Sequence, residues 1–217
     1  MLRVRLPGGL RVLALGAHCD DVEIGAGGTL LRLAAESTPA SVDVLVLSSD
    51  EQRKAEAGRS AEAFLAGVGE VRTTVHGFPD GRLPQHWGDV KDVLQQAARD
   101  HEVDLVLAPS PDDAHQDHRL LGEMATTVWR DHLVLNYELP KWDGDLGRGR
   151  PTHYVPLSPE TMDRKVALLA KHFPSQAGHD WFGDETFRAL GRLRGMESRS
   201  PYAEAFSVAK VVLDLSR

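Results

Sequence analysis

The chain carries one cysteine, Cys19, among 217 residues. That excludes an internal disulfide framework and a cysteine-rich zinc module, and it accords with a reducing compartment. No apolar run approaches the roughly 18 to 20 residues that span a bilayer, so no membrane span is expected. Met1 to Arg5 is basic, but Pro7-Gly8-Gly9 stands where the apolar segment of a signal peptide would lie. A cytoplasmic protein is the expectation. Positive charge is not in excess either. The net charge of −7 argues against a nucleic-acid partner or an acidic membrane surface. Internal repeats, low-complexity tracts and a clear linker are absent, so one α/β domain over 1–217 is expected.

What is present alternates between two periods. Leu10–Ala17, Val42–Leu47, Val71–His76 and Val103–Ala108 read as strands. Between and after them, Gly27 to about Glu36, Gln52 to Leu65, Trp87 to Arg99 and Asp117 to Trp129 read as helices. Alternation of this kind predicts a mainly parallel sheet with helices on both faces. The last third is less regular. Leu133–Tyr137 is a strand candidate, Lys141–Pro151 a glycine-rich mobile loop, Pro159–His172 a helix and Phe206–Leu213 a closing strand.

Two polar clusters follow closely on predicted buried strands. The first is His18-Cys19-Asp20-Asp21, after Leu10–Leu15, and the second is His115-Gln116-Asp117-His118, after Leu105–Ala108. Open α/β sheets place ligands at the carboxyl ends of their strands. A hydrolytic zinc takes three protein ligands and leaves a position for water, drawing on imidazole nitrogens and carboxylate oxygens. His18, Asp21 and His118 would supply two imidazoles and one carboxylate for a single mononuclear site. His115 and His118 are three apart and share a face at a helix start, so one can bind metal while the other acts as an acid or oxyanion donor. Asp20 and Asp21 are adjacent, so an irregular loop has to aim them differently, one at the metal and one at the proton of a water.

Plainer readings compete. Asp20 or Asp21 serves equally well as a helix cap, and His115 with Asp117 as a solvated helix start. Gly25, Gly27 and Gly28 lie where a phosphate cradle would, but the G-x-G-x-x-G spacing is missing and acidic residues precede them, which leaves tight strand-to-helix packing. Cys19 as a nucleophile lacks an oxyanion donor and reads better as a buried thiol. Arg53, near the same sheet edge, reads either as part of a solvated helix face or as a contact to a substrate hydroxyl or phosphate.

These residues resemble the LmbE-like (PIG-L) family of zinc-dependent N-acetylglucosaminyl deacetylases. The family's A-H-P-D-D-x-E-x-G-x-G-G stands here as Ala17 to Gly28, with Cys19 in the place of the commoner proline. Its H-x-D-H stands as His115 to His118. Weaker echoes are Arg53 with Glu56, Phe78-Pro79-Asp80-Gly81, Lys165 with His172, Ser175 and Gln176, and Tyr202 to Phe206.

The resemblance implies a Rossmann-like sheet with the metal at its carboxyl edge. His18, Asp21 and His118 would be the ligands and Asp20 the general base. His115, held by Asp117, would stabilise the oxyanion or protonate the leaving amine, and Arg53 and Asp80 would contact the sugar. The metal would be Zn2+, with Fe2+ accommodated by the same donors. The expected reaction is removal of an N-acetyl group from a small N-acetylated amino sugar. Hydrolysis of another small amide and a non-catalytic nucleotide-binding module are the alternatives. The sequence leaves room for a homo-oligomer.

Overall fold

A computed structural model describes residues 3–140 and 149–213 of the chain. The expected loop at 141–151 therefore falls mostly outside the described residues. The first strand, β1 (Arg11–Gly16), leads into α1 (Asp21–Arg32), and β2 (Ser41–Ser48) into α2 (Glu51–Phe64). Then come β3 (Val71–Phe78), α3 (Trp87–Asp100), β4 (Leu105–Pro109), α4 (Gln116–Val128) and β5 (Leu133–Tyr137). The chain continues through β6 (His153–Leu157), α5 (Pro159–His172), α6 (Asp184–Ser198) and β7 (Tyr202–Ser207).

The strands form one seven-stranded sheet in the order β3-β2-β1-β4-β5-β7-β6. The first five strands are parallel, while β7 pairs antiparallel with both β5 and β6. The α/β expectation is met. Side chains alternate across the sheet as the pleat requires. Val12, Ala14, Val44 and Leu107 face a core shared with α1, α2 and α5, whereas Leu13, Leu15, Leu45 and Val106 face one shared with α3 and α4. Both faces are covered, which is why the parallel strands read as continuous apolar runs.

Strand order reverses between β1 and β4, so the connections diverge there and leave a crevice at the carboxyl ends of those two strands. Both polar clusters open onto it.

Several expectations need correction. The first helix begins at Asp21, not Gly27, so Asp21 and Glu23 are helical, while His18 to Asp20 form the turn that leads into it. The closing strand is Tyr202–Ser207, not Phe206–Leu213; Val211, Val212 and Leu213 are exposed. Strand β6 and helix α6 had no counterpart in the sequence reading.

The glycines of the first motif are packing positions. A Cβ on Gly25 would sit 2.1 Å from the Tyr137 ring, one on Gly27 2.7 Å from Phe64, and one on Gly28 2.5 Å from Leu157. Behind them, the buried Glu204 carboxylate accepts the backbone N–H groups of Gly28 (2.7 Å) and Thr29 (2.6 Å) and the Lys165 ammonium (2.6 Å). Lys165 also donates to the Ile24 carbonyl at 2.6 Å. This network fixes α1, and with it the motif at its start, against β7 and α5.

Candidate metal centre

Helix α1 separates the two adjacent aspartates. Asp20 occupies the N-cap position, where its side chain makes no capping bond, and Asp21 opens the first turn. The Asp21 carboxylate folds back to accept the His18 backbone N–H at 2.8 Å. Both carboxylates are buried, and they point to different partners. Asp20 Oδ1 faces Arg53 Nη2 at 2.9 Å, while Asp21 Oδ2 faces the rings of His18 and His118.

Three donor atoms converge there. His18 Nδ1 and His118 Nε2 are 3.1 Å apart. Asp21 Oδ2 is 3.4 Å from the first and 3.3 Å from the second. Ligands of a tetrahedral ion bound at about 2.0–2.1 Å stand about 3.3–3.4 Å from one another. The triangle therefore has the edges that a small divalent cation requires, and its donor set is the two-imidazole, one-carboxylate set of hydrolytic zinc. The sequence expected these three residues to meet, and they do.

The remote ring nitrogens are held by carboxylates. His118 Nδ1 lies 3.0 Å from Asp113 Oδ1, and His18 Nε2 lies 2.9 Å from Asp80 and 3.3 Å from Asp117. Burial opposes a charge on His18, but Asp21, Asp117 and Asp80 outweigh it and raise the His18 pKa well above the usual imidazole value. The surroundings are set for positive charge. Contact with His18 in turn lowers Asp80 to about 2.

His115 stacks on His118, with ring centroids 4.5 Å apart, and meets His18 edge-on at 4.8 Å. Its Nδ1 accepts the Asp117 backbone N–H at 3.1 Å, so the neutral ring carries its proton on Nε2. Burial, reinforced by the neighbouring His118 and His18, lowers its pKa to about 4.

Asp117 also has partners outside its own cluster. Its carboxylate accepts from Gly81 N at 2.8 Å and Leu83 N at 3.1 Å and lies against His18. Asp117 thereby clamps the Pro79–Arg82 turn beside the centre. Asp80, 61% exposed, sits on that turn between His18 and Arg53, with Arg53 Nη1 at 3.6 Å.

Glu56, buried one turn after Arg53, accepts the backbone N–H of Ser175 at 3.1 Å and its hydroxyl at 2.5 Å, which joins two of the weaker echoes. Cys19 is buried against Ser49 and the Ser48 carbonyl. Burial raises its thiol to about 11, which removes the nucleophile reading at neutral pH. Asp113 is the member the sequence did not reveal. It lies five residues before His118, outside any helical period, and nothing distinguished it from the exposed Asp112.

Among the described residues no helix is long and apolar enough to cross a membrane. The sequence is 28% identical over 173 residues to "Uncharacterized deacetylase YaiS" of Escherichia coli (strain K12), covering 74% of this chain and 89% of that protein. The fold matches N,N'-diacetylchitobiose deacetylase from Pyrococcus horikoshii with a TM-score of 0.67 at 22% identity, over 91% of this chain and 83% of that one. It also matches GalB, the 4-carboxy-2-hydroxymuconate hydratase of Pseudomonas putida KT2440, with a TM-score of 0.70 at 18% identity, over 95% and 100%. Fold alone thus spans different reactions. The sequence profile of PIG-L, described as GlcNAc-PI de-N-acetylase, matches residues 13–129, which include every residue of both polar clusters. That stretch is more than half of the chain, and the protein belongs to the PIG-L deacetylase family.

Proposed function

We propose that the protein is a metal-dependent hydrolase that removes the acetyl group from a small N-acetylated amino sugar conjugate, working as one domain over 1–217. The observation that carries this reading is the His18–Asp21–His118 triangle beside an Asp20 carboxylate of different orientation. His18 through Nδ1, Asp21 and His118 through Nε2 would hold the ion. Zinc suits these donors, and ferrous iron is accommodated by them. A divalent ion bound there supplies Lewis acidity, polarising the amide carbonyl and making water a stronger acid.

The remaining steps belong to the chain's own side chains. Asp20 acts as general base, taking a proton from the attacking water. Arg53, at 2.9 Å, keeps that carboxylate oriented. His115, neutral with its proton on Nε2, donates a hydrogen bond to the developing oxyanion. Once protonated, Asp20 returns its proton to the departing amine. Asp80, exposed on a turn that Asp117 clamps, and Arg53 beside it offer an acceptor and a donor for sugar hydroxyls. The single buried thiol and the net charge of −7 support a cytoplasmic enzyme with a small-molecule partner rather than nucleic acid.

The test is acetate release by zinc-reconstituted protein from N-acetylated amino sugar conjugates and from simple acetamides without a pyranose ring. Release from the sugar conjugates alone is expected. Release from simple acetamides alone would replace the sugar reading with that of a small-amide hydrolase. No acetate from any substrate, with the metal bound, would reject the deacetylase reading.

A further inference from the structure

His118 turns its two ring nitrogens to opposite tasks. Nε2 faces Asp21 and His18, and Nδ1 faces Asp113 Oδ1 at 3.0 Å. The same Asp113 oxygen accepts the His115 backbone N–H at 2.8 Å. One buried oxygen therefore touches both histidines of the second cluster. Its position is set by the backbone around it. Asp113 N donates to the Ser110 carbonyl at 3.2 Å, Asp112 N to the Ser110 hydroxyl at 3.2 Å, and Arg119 Nη1 to the Asp113 carbonyl at 2.8 Å. Arg119 Nη1 also bonds the Ala114 carbonyl.

We propose that Asp113 is a positioning residue for metal uptake, holding His118 as the Nδ1–H tautomer so that its Nε2 lone pair is presented to His18 Nδ1 and Asp21 Oδ2. The inference rests on the reading that this corner binds a divalent ion. A neutral imidazole carries one proton, and a carboxylate can only accept. Asp113 thus selects the Nδ1–H form and orients the ring before any ion arrives. Its negative charge also makes Nε2 a stronger donor. Asp112, exposed in the same turn, makes none of these ring contacts and serves as the internal control.

The experiment uses the full chain, stripped of metal, and measures zinc affinity by competition with a chromophoric chelator in the absence of substrate. Wild type is compared with Asp113→Asn, Asp113→Ala and Asp112→Ala. Asp113→Ala is expected to weaken zinc binding about 10- to 100-fold, the usual range for loss of such a partner. Asp113→Asn, which keeps an acceptor oxygen without the charge, should fall between, and Asp112→Ala should match wild type. In parallel, 15N spectra of the metal-free protein should show His118 protonated on Nδ1 in wild type and a mixture of tautomers in Asp113→Ala. Wild-type affinity in both Asp113 variants would overturn the inference while leaving the metal centre intact. If Asp113→Ala does not fold, Asp113→Asn decides: an affinity equal to wild type overturns the inference, and a clear loss supports it. Wild type that takes up no zinc would overturn the metal centre, and the inference with it.

Discussion

His18 Nδ1 and His118 Nε2 lie 3.1 Å apart although one hundred positions separate them in sequence. Each reaches that point from a different strand end, His18 after β1 and His118 after β4, on the two sides of the crevice where the sheet order reverses. Two imidazole nitrogens and a carboxylate oxygen facing one another in a buried pocket need a shared positive charge. A metal ion supplies it more completely than a proton.

Metal removal should therefore cost stability as well as activity. An ion that binds only the folded state, at a free concentration 100-fold above its Kd, contributes about 2.7 kcal/mol. For a domain of this size that corresponds to a fall of about 5–10 °C in melting temperature on chelation. Differential scanning calorimetry with and without chelator checks this. The shift should disappear in His118→Ala.

Asp20→Asn should separate binding from chemistry. Asparagine keeps the shape beside Arg53 but cannot take a proton, so turnover is expected to drop about 10²- to 10⁴-fold. Metal content, which the proposed ligands His18, Asp21 and His118 would set, should stay that of wild type. Near-normal turnover in a fully loaded Asp20→Asn protein would remove Asp20 from the role of base.

Gly25→Ala tests the reading of the motif's glycines as packing positions. The added methyl would lie 2.1 Å from a Tyr137 ring that cannot retreat, because the ring is fully buried and its hydroxyl bonds the Leu15 carbonyl at 2.6 Å. Overpacking of this kind costs about 1–3 kcal/mol, read as a lower urea midpoint with an unchanged slope. An unchanged midpoint would show that α1 can shift freely, contrary to the Glu204–Lys165 anchoring.

The sequence made the parallel strands and the helices between them legible, because a sheet buried on both faces writes its strands as uninterrupted apolar runs. Val42–Leu47 lies wholly within β2, and Pro159–His172 coincides with α5. Helix α6 stayed hidden for a physical reason. Gly191 and Gly195 interrupt its apolar face, and a Cβ at Gly195 would lie 2.7 Å from the Pro201 carbonyl, so the glycines permit close packing while erasing the helical signal. The start of α1 was obscured in the same way, by Asp21, Glu23 and four small residues buried in contacts that no local pattern announces. At the site, the ligand triangle was readable from residue type and position after a strand. Of the outer carboxylates, Asp117 and Asp80 were named from the sequence, whereas Asp113 was not, since its contacts with His118 and His115 follow no local pattern.

Elemental analysis tests most directly whether His18, Asp21 and His118 hold a divalent metal. Wild-type protein, purified anaerobically and supplemented with zinc, is predicted to carry about one zinc or iron per chain, and His118→Ala to carry almost none. A metal-free wild type, or a His118→Ala variant as fully loaded as wild type, would contradict that assignment.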